Sequence, residues 1–187
     1  FFKKVYPEKH IKTEKAFRLQ IKEELSGAYE KESDRKFFND SSLVFLEQTK
    51  IDLPENFLKK WLKSNAKKEF DKSEFDKEYK NYLKYLSWQL IEKKICEDNN
   101  IKITNERLRD FTKEHIRHQM MSYGNLNMGD KEIDGIVQNV LQNEKEVDKM
   151  NNELIMIELV KYFKSKMKIK RNKVSLNEFI KLANNQK

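Results

Sequence analysis

Four glycines and two prolines in 187 residues leave this chain very few places to turn. Hairpin-rich folds need those residues at most connections, because Gly supplies positive φ and Pro pre-sets a turn. Long helices joined by few links do not. An all-α chain is therefore expected before any segment is read. Apolar and charged residues each make up 37% of the sequence. So small an apolar share fits an elongated multi-helix body with a thin core and much surface, while the aromatics are numerous enough to exclude wholesale disorder. The longest apolar runs are only a few residues, so no segment is expected to cross a bilayer.

Helical periodicity supports this along the chain. Residues 1–12 read as an entry segment, with Pro7 blocking an early helix, and residues 13–187 as one helical domain. Thr13 is a candidate N-cap, followed by Phe17, Ile21, Leu25 and Ala28 at helical spacing. Residues 30–36 are polar on every side but contain no breaker, and the apolar pattern returns at Phe37, Phe38, Leu43, Phe45 and Leu46. One long helix with a polar waist is predicted. Pro54 stands where a first helical residue belongs, ahead of a compact apolar face of Phe57, Leu58, Trp61 and Leu62. Ser73 to Asp76 has the capping-box arrangement. The helix it opens carries Phe75, Tyr79, Tyr82, Leu83, Leu86, Leu90, Ile91 and Ile95, and should stop at Asn99-Asn100, since Asn tolerates the left-handed conformation.

Ile101-Lys102-Ile103 is then briefly extended, and Thr104 caps a helix through Leu108, Phe111, His115, Ile116 and Met120 to Gly124. The loop from Gly124 to Gly129 holds the turn residues scarce elsewhere. Asp130 is the predicted cap of a short helix with Ile133, Ile136, Val137, Val140 and Leu141 on one face. A long helix from about Lys145 to Met167 follows, then an extended Lys173-Val174 and a capping box at Ser175 to Glu178. The two extended pieces, each followed by a hydroxyl cap and an acid-bearing helix start, read as one local device used twice.

The net charge is +8. Lys and Glu alternate along almost every helix, which is the pattern of a solvated, ion-paired face and not of a phosphate-binding stripe. Only Lys164 to Lys173 is locally one-signed. Cys96 is alone, which excludes a disulfide framework within the chain and fits a reducing cytoplasm. Glu97 and Asp98 beside it would raise the thiol pKa and keep it unreactive. His115 and His118 lie three apart, but the remaining histidine, His10, is distant, and a metal site needs three or four converging ligands. The glycines have no nucleotide-binding spacing. No catalytic residue, metal or cofactor is expected.

One cluster is chemically distinctive. Met120, Met121, Tyr123, Leu126 and Met128 surround a helix end and loop, and Met side chains reshape to accept varied partners. Packing of Met120 and Tyr123 against Ile133 and Ile136 is the alternative that periodicity favours.

Four segments together carry a resemblance: Asp52 to Leu62 (DLPENFLKKWL), Leu86 to Ile91 (LSWQLI), Ile101 to Thr104 leading into a helix that ends Gln119-Met120-Met121-Ser122-Tyr123-Gly124, and Asn172 to Phe179. In order and spacing they resemble the C-terminal domain of trigger factor, especially its Bacteroidetes-like branch, over essentially the whole chain. The resemblance implies a body with protruding helical arms, akin to the peptide-binding region of periplasmic SurA-type chaperones. It also implies a cytoplasmic, ATP-independent chaperone that binds unfolded or nascent polypeptides and assists folding and export. Ribosome docking and prolyl isomerisation would belong to upstream domains that have no counterpart here; the start at Phe1, without an initiator Met, reads as a fragment of such a parent. Client-binding positions carry over to Met120, Tyr123, Ile133 and Ile136, which are expected to lie together and partly exposed; Met121 and Met128 of the Met cluster complete the expected client-binding patch. A monomer or weak homodimer with no membrane partner is expected. Two other classes stand beside this one: a basic helical nucleic-acid-binding module, which the mixed charges oppose, and a helical scaffold for a fixed protein partner, for which the apolar stripes are too scattered to form a long coiled coil.

Overall fold

The computed structural model describes residues 2–6, 11–66, 71–123 and 128–184. Among them all regular structure is helical: α1 (Phe2–Val5), α2 (Glu14–Gln48), α3 (Glu55–Ser64), α4 (Lys72–Asp98), α5 (Asn105–Ser122), α6 (Asp130–Gln142), α7 (Glu144–Lys166) and α8 (Leu176–Asn184). The chain divides into two compact units, residues 1–41 with 171–187, and residues 42–170.

In the first unit the Thr13 hydroxyl accepts the Ala16 N–H at 3.2 Å, as an N-cap should. The entry segment is not free of helix as expected, because α1 occupies Phe2–Val5. Its cause is aromatic: the Phe2 and Tyr6 rings both rest on Phe17, at 5.1 and 5.7 Å between centroids. Pro7 lies outside the described residues. α2 runs unbroken for 35 residues, through the polar waist. Pairs one turn apart, such as Glu14–Arg18 at 2.8 Å and Lys36–Asp40 at 3.0 Å, support it by a few tenths of a kcal/mol each. Ser175 caps α8 by accepting the Glu178 N–H at 3.3 Å. Thr104 does the same for the Arg107 N–H at 3.2 Å in the second unit, so the hydroxyl cap of the repeated device is present at both places.

The second unit has a helical pair and a three-helix cluster. α3 and α4 meet around Leu58, Phe75 and Tyr79, with Leu53, Leu62, Tyr82, Leu83 and Leu86 packed outside them. Pro54 precedes α3 instead of opening it. Its φ of −73° and ψ of 76° make an inverse γ-turn, closed by the Glu55 N–H to the Leu53 carbonyl at 2.8 Å. α4 likewise begins ahead of Ser73. The Asp71 carboxylate takes the Glu74 N–H at 2.8 Å, and an ionised cap is stronger than a hydroxyl one. The helix ends as expected: Asn100 is left-handed with φ 54°. Ile101 N–H then reaches back to the Cys96 carbonyl at 2.9 Å and Asn100 N–H to that of Glu97 at 3.3 Å, a Schellman closure.

α5, α6 and α7 pack on one another. Leu154, Leu159 and Val137 are fully buried, with Ile116, Ile133, Met150, Val160 and Phe163 nearly so. Phe45, from the end of α2, lies against Phe163 at 5.2 Å. Gly129, one residue before the predicted Asp130, is the α6 cap. Glu132 accepts the Gly129 N–H at 3.0 Å, which leaves the Asp130 carboxylate to pair with Arg117 of α5. A second bridge, Lys113–Asp134 at 2.7 Å, ties the same two helices.

Candidate functional site

The six residues proposed from the sequence fall into two groups. Ile133 is core, 4% exposed against Ile116 and Val137, and Met120, Met128 and Ile136 pack on that cluster half-buried. Met121 and Tyr123 face outward at 51% and 76% exposure. The expectation that Ile133 would be partly exposed is therefore corrected. Ile133 and Val137 are one turn apart on the α6 face that α5 covers, and Ile136 is at its edge. Tyr123 owes its position to the helix end, where its N–H bonds the Gln119 and Met120 carbonyls, both at 3.2 Å, and its ring leaves the bundle. Gly124 to Asn127, including Leu126, lie outside the described residues.

A second exposed patch escaped the periodicity. Phe57 and Trp61 were read as one face with Leu58 and Leu62, yet Phe57 is 61% and Trp61 43% exposed. Four apolar residues at positions 57, 58, 61 and 62 span an arc wider than a single partner helix covers. α4 takes Leu58 and Leu62, and the other two remain at the rim. Trp61 stacks on Tyr82 at 5.6 Å, and Tyr85, one turn along α4, is also exposed. The width of that arc was the signal available in the sequence. On the far side of the pair, Lys59 and Lys63 lie over the Tyr79 and Phe75 rings at 5.0 and 4.8 Å.

Separate apolar surfaces occur in the first unit. Leu25 and Tyr29 of α2, with Ile21, line a shallow hollow, and α8 exposes Leu176, Ile180 and Leu182. Among the described residues no three His, Cys, Asp or Glu side chains converge as a metal site, and no helix is long and apolar enough to cross a membrane. His115 lies within the α5 stripe, tilted against Phe111 at 6.3 Å. Burial pushes the Cys96 thiol pKa up, helped by Glu92 and Glu97; the expected contribution of Asp98 is taken instead by Glu92, one turn back. Glu92 is itself raised by burial, against the hydrogen bond it accepts from the Trp88 indole at 3.1 Å. Both shifts favour the protonated form of the side chain.

An all-helical domain with several separate apolar patches on polar, ion-paired helices falls in the class of helical chaperone domains. The chain belongs to the trigger factor family: residues 33–183 match the family described as probable trigger factor, C-terminal domain. That span includes every segment on which the resemblance rested. No curated protein and no solved structure matches the chain.

Proposed function

We propose that this domain holds unfolded or nascent polypeptide through its exposed apolar patches and so assists folding and export, without chemistry of its own. The observation that carries the reading is the exposure of large side chains in groups: Phe57, Trp61 and Tyr85 at the α3–α4 rim, and Met121 with Tyr123 at the α5 end. Soluble domains rarely display such groups unless they bind something. Each side chain covered by a client yields about 1–3 kcal/mol at full burial. Several such sites on one chain raise avidity while each contact stays exchangeable. In this reading Met120, Met128 and Ile136 form the adaptable floor of the α5–α6 patch and Ile133 supports it from below. The client is met in the cytoplasm, and ribosome docking belongs to another part of the parent protein.

The test is suppression of aggregation of a chemically unfolded client. Phe57→Ser with Trp61→Ser, and separately Met121→Ser with Tyr123→Ser, should each weaken suppression and leave the helical signal intact. Full suppression by a combined variant of all four positions would refute the reading.

A further inference from the structure

We propose that a groove in the second unit is a client subsite selective for acidic, extended polypeptide, an inference that rests on the polypeptide-holding function above. The groove, about 560 Å³, runs between the non-helical segment at Ile101–Ile103 and the C-terminal third of α7. Its floor is apolar, from Ile101, Ile103 and Tyr162, all half-buried. Its rim is cationic: Lys102 from the segment, Arg107 from the first turn of α5 and Lys161 from α7. Glu158 is the one acid on the lining, shared by Lys161 at 2.8 Å and Arg107 at 4.0 Å. One carboxylate against three cations leaves positive charge unmatched.

Two further features select the occupant. Residues 159–170 contain five Lys and no Asp or Glu, so the end of α7 and the four residues after it add charge of the same sign. The Lys102 and Ile103 N–H groups make no hydrogen bond among the described residues, and their segment has no regular secondary structure. An incoming peptide carbonyl can accept from either N–H, with the neighbouring side chains falling to the floor and the rim. Nucleic acid would meet the cations and the peptide N–H groups but leave the aliphatic floor of Ile101 and Ile103 unused. A polypeptide that alternates apolar and acidic residues satisfies all three features.

The probes are three labelled peptides with one apolar core, flanked by glutamates, glutamines or lysines, titrated by fluorescence anisotropy. The glutamate peptide should bind roughly tenfold tighter than the lysine peptide at about 0.1 M salt, the return on three exposed ion pairs. The difference should shrink toward unity at about 1 M, where the Debye length is about 3 Å. Lys102→Gln, Arg107→Gln and Lys161→Gln together should erase the preference and leave the glutamine peptide bound as before. Should that variant melt early, Lys102→Glu alone, on an exposed non-helical residue, should still remove part of the preference. Equal binding of glutamate and lysine peptides, with the glutamine peptide still bound, would overturn the selectivity and leave the chaperone reading standing. Failure of all three peptides to bind would sink both. A preference that persists in the triple variant, or an RNA oligonucleotide or anionic vesicle that displaces the glutamate peptide through the same three residues, would overturn the subsite.

Discussion

Ile133→Ala and Tyr123→Ala should separate the support of the α5–α6 patch from its working surface. Ile133 is 4% exposed and touches the cluster built by Ile116 and Val137. Truncating it removes buried methyl groups and leaves a cavity that two packed helices cannot close. Leu and Ile to Ala changes at such positions cost 2–5 kcal/mol, and about 3 is expected here. For a chain of this length each kcal/mol moves the melting temperature by about 2–4 °C, so the loss should be roughly 6–12 °C. Tyr123 is 76% exposed, and its removal should cost within about 0.5 kcal/mol, a shift under about 2 °C. Thermal unfolding followed by circular dichroism gives both numbers, and the aggregation assay on the same samples gives function. The two variants should be opposite in kind. Ile133→Ala loses stability and, below its transition, retains most client suppression; Tyr123→Ala retains stability and weakens suppression. A drop under about 1 kcal/mol for Ile133→Ala would show that α6 is not held on α5 by this cluster. A loss of several kcal/mol for Tyr123→Ala would show that the ring is a packing element.

Three smaller tests follow from the same geometry. A Cβ at Gly27 or Gly135 would meet nothing within 4 Å, so alanine at either helical position should stabilise by about 0.4–1 kcal/mol in a urea melt. Because burial raises the folded-state pKa of Glu92, its charged form opposes folding at neutral pH. Glu92→Gln should therefore melt higher than wild type at pH 7, and the gap should close as pH falls below about 4, where the acid is neutral in both states. Asp134 is shifted the other way, lowered first by its hydrogen bond from Lys113. Its contribution is present above the ordinary carboxylate range and lost as pH falls through the depressed value, so Asp134→Asn should weaken the acid dependence of the melt and lower stability near neutrality.

What the sequence revealed was local. The caps at Thr13, Thr104 and Ser175 and the left-handed Asn100 depend on residues within one turn, and the order of residues carries that information. The same holds for the unbroken α2, since nothing in its polar waist could break it. Misplaced starts were local competitions too: Asp71 outcompetes Ser73, and the γ-turn at Pro54 delays α3 by one residue. What stayed hidden depends on how many helices cover an apolar arc. Periodicity gave Phe57 and Leu58 the same face, and the resemblance gave Tyr123 and Ile133 the same patch. Only the placement of α4 and α5 decides that Leu58 and Ile133 are covered while Phe57 and Tyr123 are not.

The Ile101–Ile103 groove lay further still from view, because its walls come from residues about sixty positions apart. In the sequence Ile101-Lys102-Ile103 was a connector and Lys161 one charge on a mixed helix. Charge averaged along each helix hid the site, since Lys161 and Glu158 cancel in a count. They do not cancel at the groove, where one carboxylate is divided between two cations and Lys102 stands beyond it. Patterns of mixed sign therefore argue against a continuous polyanion as the partner, yet leave room for a short one. An acidic stretch of unfolded chain has that length.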